Sequence, residues 1–320
     1  MRATLVAFII QRPSTPRNLR EKPRAASMRN RGSRHALFTP GQAITENQTR
    51  IRCNSIQIEL RNPPPLSCIV QIMEATDLVM IAAQNLTKRF DNEILALDAI
   101  NFDVKKSEVY CLLGASGAGK TTVIDLFLDF IKPTSGRAMI NGIEVAENPL
   151  EAKKYATYCS ADVMLYGHFT ARQNLDFFVK LGGKSGLKKD SYYAVLREVG
   201  LQESAFEQKA RFFSKGMLQK VSIAIALLRD TPAILLDDFT SGLDPKASGE
   251  LMEIIDQLRR RGKAILVTSH DIFRVREIAD RVGIIKEGRK VLERTREDLE
   301  HEDLQALYLD YTRNVYRTGR

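Results

Sequence analysis

The sequence predicts an α/β fold whose sheet is largely parallel and covered by helices on both faces. Val109–Leu113, Ala233–Leu236 and Ala264–Val267 are uninterrupted apolar runs, which is typical of strands buried on both faces. Between these strands the apolar residues take helical spacing, as in Thr121–Phe130, which ends before Pro133. Strands that alternate with helices favour a parallel sheet in the α/β class.

The remaining segments complete the prediction. Ile81–Phe90 and Ala99–Val104 are expected to be short strands. From about residue 149 to 229 no further buried strand is predicted and helical patterns dominate, which indicates a helical subdomain inserted at about residues 150–229. The leucines of Asp303–Leu309 have helical spacing and predict a short helix packed on the body.

Composition excludes several classes of protein. Hydrophobic residues make up 44% of the 320 residues and charged residues 27%, which excludes disorder throughout the chain. No apolar run approaches the ~18–20 residues that a membrane-spanning helix needs, so we expect that the chain does not cross a bilayer. The four cysteines have no CxxC spacing and predict neither a disulfide framework nor a zinc site.

The positive charge is concentrated in residues 1–72. This segment holds twelve Lys or Arg residues against three Glu, and seven of the eleven prolines. It therefore carries all of the formal net charge of +9, and the rest of the chain is balanced. Because the folded body is neutral, the sequence pI of about 9.4 does not indicate a nucleic-acid partner, and none is expected.

Residues 1–72 are predicted to be a basic, Pro/Arg-rich disordered tail or the product of a misassigned start. Three interpretations compete: a targeting peptide, a basic arm for anionic lipid or nucleic acid, and a translation start assigned too early or a tail without function. Met73 and Met80 lie just before the first orderly segment, which favours the last interpretation.

A glycine-rich motif between a buried strand and a helix carries the strongest chemical signal. It fits the phosphate-binding loop pattern G-x-x-x-x-G-K-[ST] at every fixed position, where glycines let backbone N–H groups turn towards phosphate oxygens. Lys120 is expected to reach the β- and γ-phosphates, and the Thr121 hydroxyl to ligate Mg²⁺. The predicted nucleotide-binding residues are Gly114, Ala115, Ser116, Gly117, Ala118, Gly119, Lys120, Thr121 and Thr122.

Two acids end the apolar strand Ala233–Leu236. A nucleoside-triphosphate site needs a carboxylate for Mg²⁺ at the end of a neighbouring strand, and Asp237 is the expected ligand. Asp238 stands where a general base or a water-positioning group would act.

Beyond these two sites, residues 81–315 resemble the ATP-binding subunits of ABC transporters, especially single-domain subunits of exporter-type systems. Phe213–Met217 looks like the SKGM form of the family's signature motif. Thr240–Pro245 resembles the D-loop, Thr268–Asp271 contains the switch histidine His270, and Phe90 takes the place of the aromatic residue that stacks on adenine. The resemblance implies a P-loop NTPase sandwich over residues 80–315, with a mainly parallel sheet, antiparallel strands near its N-terminal part and the inserted helical subdomain.

The resemblance also implies cofactors and partners. ATP and Mg²⁺ would bind between two ATP-binding subunits, in a homodimer or a heterodimer. Lys120, Thr121 and Asp237 of one subunit would face Ser214 and Gly216 of the other. Asp244 of the D-loop would join the nucleotide-binding residues, and Asp238 and His270 would be catalytic. An integral membrane permease would contact the helical insert, on the cytoplasmic face of the membrane.

Two positions depart from the family pattern. Asp238 replaces the usual glutamate and is one methylene shorter, and Ala161 aligns with the expected Q-loop glutamine unless a shift of one residue brings Asp162 there. Two functions therefore stay open: a slow ATPase that drives export through a separate permease, or a weakly hydrolytic, nucleotide-gated partner of another ATPase subunit. A nucleic-acid-associated ABC ATPase is a third possibility, and only the basic segment supports it.

Overall fold

The computed structural model of the chain describes residues 48–53, 56–61, 78–91 and 93–313, which belong to two compact units. In the first unit, β1 (Gln48–Cys53) pairs antiparallel with β2 (Ile56–Arg61), with Ile51 opposite Ile58. The rest of the predicted 1–72 tail lies outside the described residues, so the interpretation of this segment stays a prediction.

The second unit contains the predicted body. Its elements, in chain order, are β3 (Val79–Arg89), β4 (Leu95–Lys105), β5 (Val109–Leu113), α1 (Lys120–Phe127), β6 (Ser135–Ile140), β7 (Ile143–Glu144), α2 (Pro149–Ala152), β8 (Ala156–Ser160), α3 (Ala171–Leu181), α4 (Lys189–Glu198), α5 (Lys215–Arg229), β9 (Ala233–Asp237), α6 (Pro245–Arg260), β10 (Ala264–Ser269), α7 (Ile272–Ile278), β11 (Arg281–Lys286), β12 (Arg289–Thr295), α8 (Arg296–His301) and α9 (Leu304–Arg313). Three 3₁₀ turns join these elements, at Lys153–Tyr155, Glu203–Ala205 and Ala210–Phe212.

A six-stranded sheet runs in the order β12-β11-β5-β10-β9-β8, and all its pairs are parallel except β11 with β12. All five residues of β5 are buried because apolar layers cover both faces of the strand. Tyr110 and Leu112 point into one layer, and Val109, Cys111 and Leu113 into the other. The predicted parallel sheet is therefore confirmed.

A second sheet, in the order β4-β3-β6-β7, is antiparallel and covers the first of these layers together with α1. Phe102 of β4 stacks on Tyr110 of β5, with ring centroids 5.1 Å apart. The antiparallel strands expected near the N-terminal part of the body are confirmed.

One expectation was wrong: the segment from 149 to 229 contains the strand β8, which pairs with β9 in the parallel sheet. Its sequence mixes apolar and polar residues because β8 is an edge strand. The Thr157 hydroxyl is buried and hydrogen-bonds to Thr231 at 2.8 Å, so a polar side chain is satisfied inside the sheet. A mixed pattern of this kind does not give the uninterrupted apolar run that marks β5 or β9.

The predicted C-terminal helix is present as α9, and its first residue, Leu304, is buried in the apolar layer beneath the helices. Within the part of the chain that the structure describes, every helix is too short or too polar to cross a membrane.

Candidate functional site

Several of the predicted site residues directly follow neighbouring parallel strands, at the carboxyl ends of those strands. The glycine-rich loop follows β5, His270 follows β10, Asp237 ends β9 with Asp238 next, and Ala161 follows β8. The strand order β5-β10-β9-β8 places these four carboxyl ends side by side. Two backbone hydrogen bonds join the loops: Gly114 N–H donates to Ser269 O (3.2 Å) and Asp238 N–H to Thr268 O (3.1 Å). In open α/β sheets, ligands bind outside the carboxyl ends of the strands.

Two glycines of the loop are required by close packing. Gly119 has φ +110°, and a side chain there would lie 2.7 Å from the carbonyl oxygen of Ala96 on β4. A side chain at Gly114 would lie 2.6 Å from the carbonyl oxygen of Ile285 on β11. The stretch Ala115–Gly117 is exposed, which leaves its backbone open to a ligand, and α1 begins directly after Gly119. The positive end of a helix dipole thus adjoins the loop.

The Lys120 side chain is buried within the loop that it is predicted to serve. Its ammonium donates to the carbonyl oxygens of Gly114 (2.7 Å) and Ala115 (3.0 Å), and the residue is 8% exposed. Burial lowers the pKa of Lys120, against the opposing attraction of Asp238 and Asp237. The loop backbone therefore holds the ammonium, and the negative charges of Asp238 and Asp237 favour its protonated form.

Asp237 is held by a hydroxyl group of the neighbouring strand β10. Thr268 donates to its Oδ1 at 2.5 Å, and the Tyr158 hydroxyl on β8 acts on the pKa of the same carboxylate. Burial raises the pKa of Asp237, and the negative charge of Asp238 adds to this shift. The two hydroxyls and Lys120 act in the opposite direction and favour the ionised form.

Asp238 and His270 contact each other directly. Nδ1 of His270 lies 2.8 Å from Oδ1 of Asp238 and 3.1 Å from Oδ2. Asp238 has φ +47°, a left-handed conformation that aspartate tolerates better than most residues. Its N–H also donates to the Thr268 hydroxyl at 3.2 Å. Both side chains are partly exposed, so a ligand can reach the pair.

The donor set suits Mg²⁺, which prefers hard oxygen ligands. Asp237 supplies a carboxylate, and Thr121, the second residue of α1, supplies an exposed hydroxyl. Among the described residues no group of three or more His, Cys, Asp or Glu side chains is arranged to hold a metal by itself. Two protein oxygens together with phosphate and water oxygens would complete the shell that Mg²⁺ takes in nucleotide sites.

Ser214, Gly216 and Asp244 lie at the starts of two neighbouring helices, α5 and α6. Ser214 is the N-cap of α5 and accepts from Met217 N–H at 3.3 Å, as its position predicts. Asp244 caps α6 in the same way and accepts from Ala247 N–H at 2.9 Å. A side chain at Gly216 would lie 3.3 Å from Cβ of Ala247, so the two helix starts pack against each other. Within the described residues no hydrogen bond or ion pair joins this set to Lys120 or Asp237.

Phe90 lies in a turn between β3 and β4, where its N–H donates to Ile94 O at 2.9 Å. The ring is 38% exposed, and the Lys88 ammonium lies 5.2 Å from its centre. β4, which follows this turn, approaches the phosphate loop at Ala96, beside Gly119.

The segment after β8 offers little chemistry at the position of the expected glutamine. Ala161 has no functional group, and Asp162 is exposed while its carbonyl oxygen accepts from the Ser160 hydroxyl at 2.7 Å. Sequence reasoning missed the effect of Tyr158 on the pKa of Asp237, because the strand that carries Tyr158 was not predicted. It also gave no role to Thr268, although the motif that contains this threonine was recognised.

Comparison with known proteins shows the family to which the chain belongs. The family model described as ABC transporter matches residues 97–241. The chain is 30% identical over 272 residues to "Probable multidrug ABC transporter ATP-binding protein YbhF" of Escherichia coli, covering 83% of this chain and 46% of that protein. The chain thus spans about half the length of that relative. It is 32% identical to "ABC transporter ATP-binding protein NatA" of Bacillus subtilis, covering 72% of this chain and 97% of that protein.

Solved structures of ABC transporter ATP-binding proteins also align with this chain. "Structure of ATP binding subunit of ABC transporter" aligns with a TM-score of 0.65 at 28% identity, covering 73% of this chain and 99% of that one. "Dimeric Structure of MJ0796, a Bacterial ABC Transporter Cassette" aligns with a TM-score of 0.61 at 27% identity, covering 68% and 99%. The phosphate loop, the paired acids and the histidine lie together at the carboxyl ends of the parallel strands. The family match and the identity to these relatives show that the chain belongs to the ABC transporter ATP-binding family, whose members are ATPases.

Proposed function

We propose that this protein binds and hydrolyses ATP to drive export through a separate membrane permease. One observation carries the proposal: four side chains lie at the carboxyl ends of neighbouring parallel strands, and His270 is hydrogen-bonded to Asp238. The four residues are Lys120, Asp237, Asp238 and His270. The matched relatives include "Bacitracin transport ATP-binding protein BcrA" of Bacillus licheniformis, 37% identical over 215 residues. The exported substrate is set by the permease.

Each group has a role in this proposal. The loop N–H groups and Lys120 bind the β- and γ-phosphates, because both present positive charge at the start of α1. Thr121 and Asp237 hold Mg²⁺, which would neutralise charge on the phosphates. Asp238 accepts the proton of the attacking water, and His270 orients the Asp238 carboxylate. Phe90 stacks on adenine from its exposed turn.

The shorter side chain of Asp238 would make hydrolysis slow. General-base assistance contributes about 10²–10⁴-fold, and a carboxylate set back by one methylene loses part of it. The alternative is a subunit that binds ATP but hardly hydrolyses it and serves as the nucleotide-gated partner of a second ATP-binding subunit. The replacement of the expected Q-loop glutamine by Ala161 favours this alternative.

Turnover of the purified protein separates the two functions. If the protein is an ATPase, Asp238→Asn lowers turnover by about 10²–10⁴-fold and Asp238→Glu raises it above wild type. Nucleotide binding should be retained in both variants, because Lys120 is untouched. Equal, near-zero turnover of wild type and Asp238→Asn would instead establish the weakly hydrolytic partner.

We also propose that two ATP-binding subunits, identical or different, enclose the nucleotides head to tail. Ser214 and Gly216 would meet the γ-phosphate bound to the other subunit, because the start of α5 offers a hydroxyl and amides at the positive end of a fifteen-residue helix. Asp244, which caps the neighbouring α6, would line the same interface. No nucleic acid takes part in this proposal.

A groove on the body is the proposed contact with the permease, on the cytoplasmic face of the membrane. Its volume is about 150 Å³, and the exposed Met164 lies at its edge. The half-buried guanidinium of Arg229 adds a positive group. An apolar groove of this kind suits an amphipathic helix. Residues that line it include Phe127, Phe130, Val163, Leu165, Phe178 and Ile225.

A further inference from the structure

The turn that carries Phe90 is fastened to the segment that follows α1. The Thr134 hydroxyl accepts from Arg89 N–H at 2.9 Å and donates to Arg89 O at 3.3 Å. The Thr134 N–H donates to Thr87 O at 2.9 Å. One threonine therefore holds the last residues of β3, directly before the exposed aromatic ring.

Lys88 makes a second connection between the same two segments. Its ammonium donates to Lys132 O at 2.8 Å and lies 5.2 Å from the centre of the Phe90 ring, within the range of a cation–π interaction. No carboxylate among the described residues forms an ion pair with this ammonium. The carbonyl oxygen and the ring are therefore its partners.

The two side-chain contacts lie at the surface and contribute little to the stability of the fold. Arg89 and Thr134 are exposed, so water can take the place of a lost hydroxyl group. The Thr134 N–H would keep its hydrogen bond to Thr87 O with any side chain at this position that leaves the backbone in place. What the contacts determine is the position of the exposed Phe90 ring.

The segment that receives these contacts is joined to the phosphate loop by α1. This helix begins directly after Gly119, and its apolar side chains are buried in the core. Lys132 and Thr134 follow its end, and Pro133 between them restricts its own φ to about −65°. On the other side of the turn, Ala96 on β4 lies beside Gly119. The turn is thus connected to the phosphate loop from both sides.

We propose that Lys88 and Thr134 are positioning residues that fix the Phe90 ring relative to the phosphate loop and so make ATP bind more tightly than a triphosphate without a base. The inference rests on the proposed function, because it takes Phe90 to stack on adenine. A ring whose orientation is set before the nucleotide binds loses less conformational freedom on binding. The Lys88 ammonium orients the ring, and Thr134 holds the backbone from which the ring projects.

Calorimetry with two ligands tests this role. In an Asp238→Asn background, expected to keep ATP unhydrolysed, Thr134→Val and Lys88→Met are each titrated with Mg·ATP and with inorganic triphosphate. Each variant should raise the dissociation constant of Mg·ATP by about three- to tenfold and leave that of triphosphate unchanged. The lost charge of Lys88 would by itself weaken both ligands, so the comparison separates charge from positioning.

Conservative and matched variants serve as controls. Thr134→Ser keeps the hydroxyl group and should bind both ligands as the parent does. Lys154→Met, at an exposed lysine paired with Glu151, removes the same charge and should change neither affinity. With Asp238 intact, Thr134→Val should raise KM for ATP and leave kcat unchanged, because the contact acts on binding alone.

Phe90→Ala provides the reference. It should weaken Mg·ATP binding by roughly 5- to 100-fold, because the stacking ring is gone, and leave triphosphate binding unchanged. When Phe90→Ala is already present, Thr134→Val should have no further effect on Mg·ATP.

The contrary outcomes fall into two groups. Unchanged Mg·ATP affinity in Thr134→Val or in Lys88→Met overturns the role of that residue. Equal weakening of both ligands, effects that add to that of Phe90→Ala, or a failure of both variants to fold overturns positioning altogether. If Phe90→Ala itself leaves the preference for ATP over triphosphate unchanged, the proposed stacking on adenine fails instead.

Discussion

Nδ1 of His270 lies 2.8 Å from Oδ1 of Asp238, and this contact joins the loops that follow two adjacent parallel strands. The backbone supports the contact, because Asp238 N–H donates to Thr268 O and the left-handed conformation of Asp238 turns its chain away from the strand. The imidazole therefore fixes the carboxylate of Asp238 beside the end of β9. We expect His270 to matter for the rate of hydrolysis more than for ATP affinity.

The first prediction concerns this pair. His270→Ala should lower ATP turnover by about 10²-fold, because the carboxylate of Asp238 loses the group that orients it. The affinity for ATP, measured by calorimetry, should change less than threefold (about 0.6 kcal/mol). His301→Ala, at an exposed histidine on α8, is the control and should leave both quantities unchanged. A His270→Ala protein with normal turnover would contradict the proposed role.

Lys120→Met should weaken ATP binding. The methionine keeps most of the apolar stem but removes the ammonium that lies against Gly114 O and Ala115 O. Because hydrogen bonds to charged groups contribute about 1.5–3 kcal/mol, the dissociation constant should rise roughly 10- to 100-fold in calorimetry. Lys154→Met, at an exposed lysine paired with Glu151, should bind ATP normally. Unaltered ATP affinity in Lys120→Met would rule out the phosphate loop as the binding site.

Thr268→Val tests whether the Thr268 hydroxyl controls the pKa of Asp237, the proposed metal ligand. Burial raises the pKa of Asp237, and the Thr268 hydroxyl opposes this shift by donating to Oδ1 at 2.5 Å. Without the hydroxyl the pKa rises further, so protons compete with Mg²⁺ up to a higher pH. The Mg²⁺ concentration for half-maximal turnover should rise severalfold, and turnover should fall at a higher pH than in wild type as the solution is acidified.

A matched buried threonine provides the control for that experiment. Thr157→Val removes the hydrogen bond to Thr231, at the other end of the same sheet, and should cost about 1 kcal/mol of stability without altering the Mg²⁺ dependence. Equal Mg²⁺ and pH dependence in Thr268→Val and Thr157→Val would show that Thr268 does not influence the metal site.

The sequence predicted the parts of the fold and site that local patterns determine. β5 and the first four residues of β9 and of β10 are buried on both faces and so are apolar. The glycine-rich loop was recognised from the spacing of its glycines, lysine and threonine. The N-cap role of Ser214 also follows from local chemistry. Each of these features is visible in a short stretch of sequence, even where distant residues such as Ile285 impose it.

Features made by distant parts of the chain could not be predicted in this way. The edge strand β8 satisfies its polar side chains through partners such as Thr231, which lies 74 residues away. The hydrogen bonds from the Gln219 amide on α5 to Ser160 O and Ala161 O likewise depend on how helices and strands pack. A pattern of hydrophobic spacing carries no information about such pairs.

Ser214→Ala tests the proposed dimer. With Asp238→Asn to prevent hydrolysis, Mg·ATP should convert the protein to a dimer in sedimentation, and the added Ser214→Ala should reduce the dimer fraction because a hydroxyl towards the γ-phosphate is lost. Removing this N-cap also costs about 1 kcal/mol of stability, since Ser214 accepts from Met217 N–H. The effect on the dimer must therefore be separated from the effect on the helix.

Thr170→Ala separates them. Thr170 caps α3 with the same type of bond, accepting from Gln173 N–H at 3.2 Å, and is not among the residues proposed for the dimer interface. Its loss should cost a similar free energy of unfolding but leave dimerisation with Mg·ATP unchanged. If Ser214→Ala and Thr170→Ala dimerise equally well, the start of α5 does not meet the nucleotide of a second subunit, and the head-to-tail arrangement is wrong for this chain.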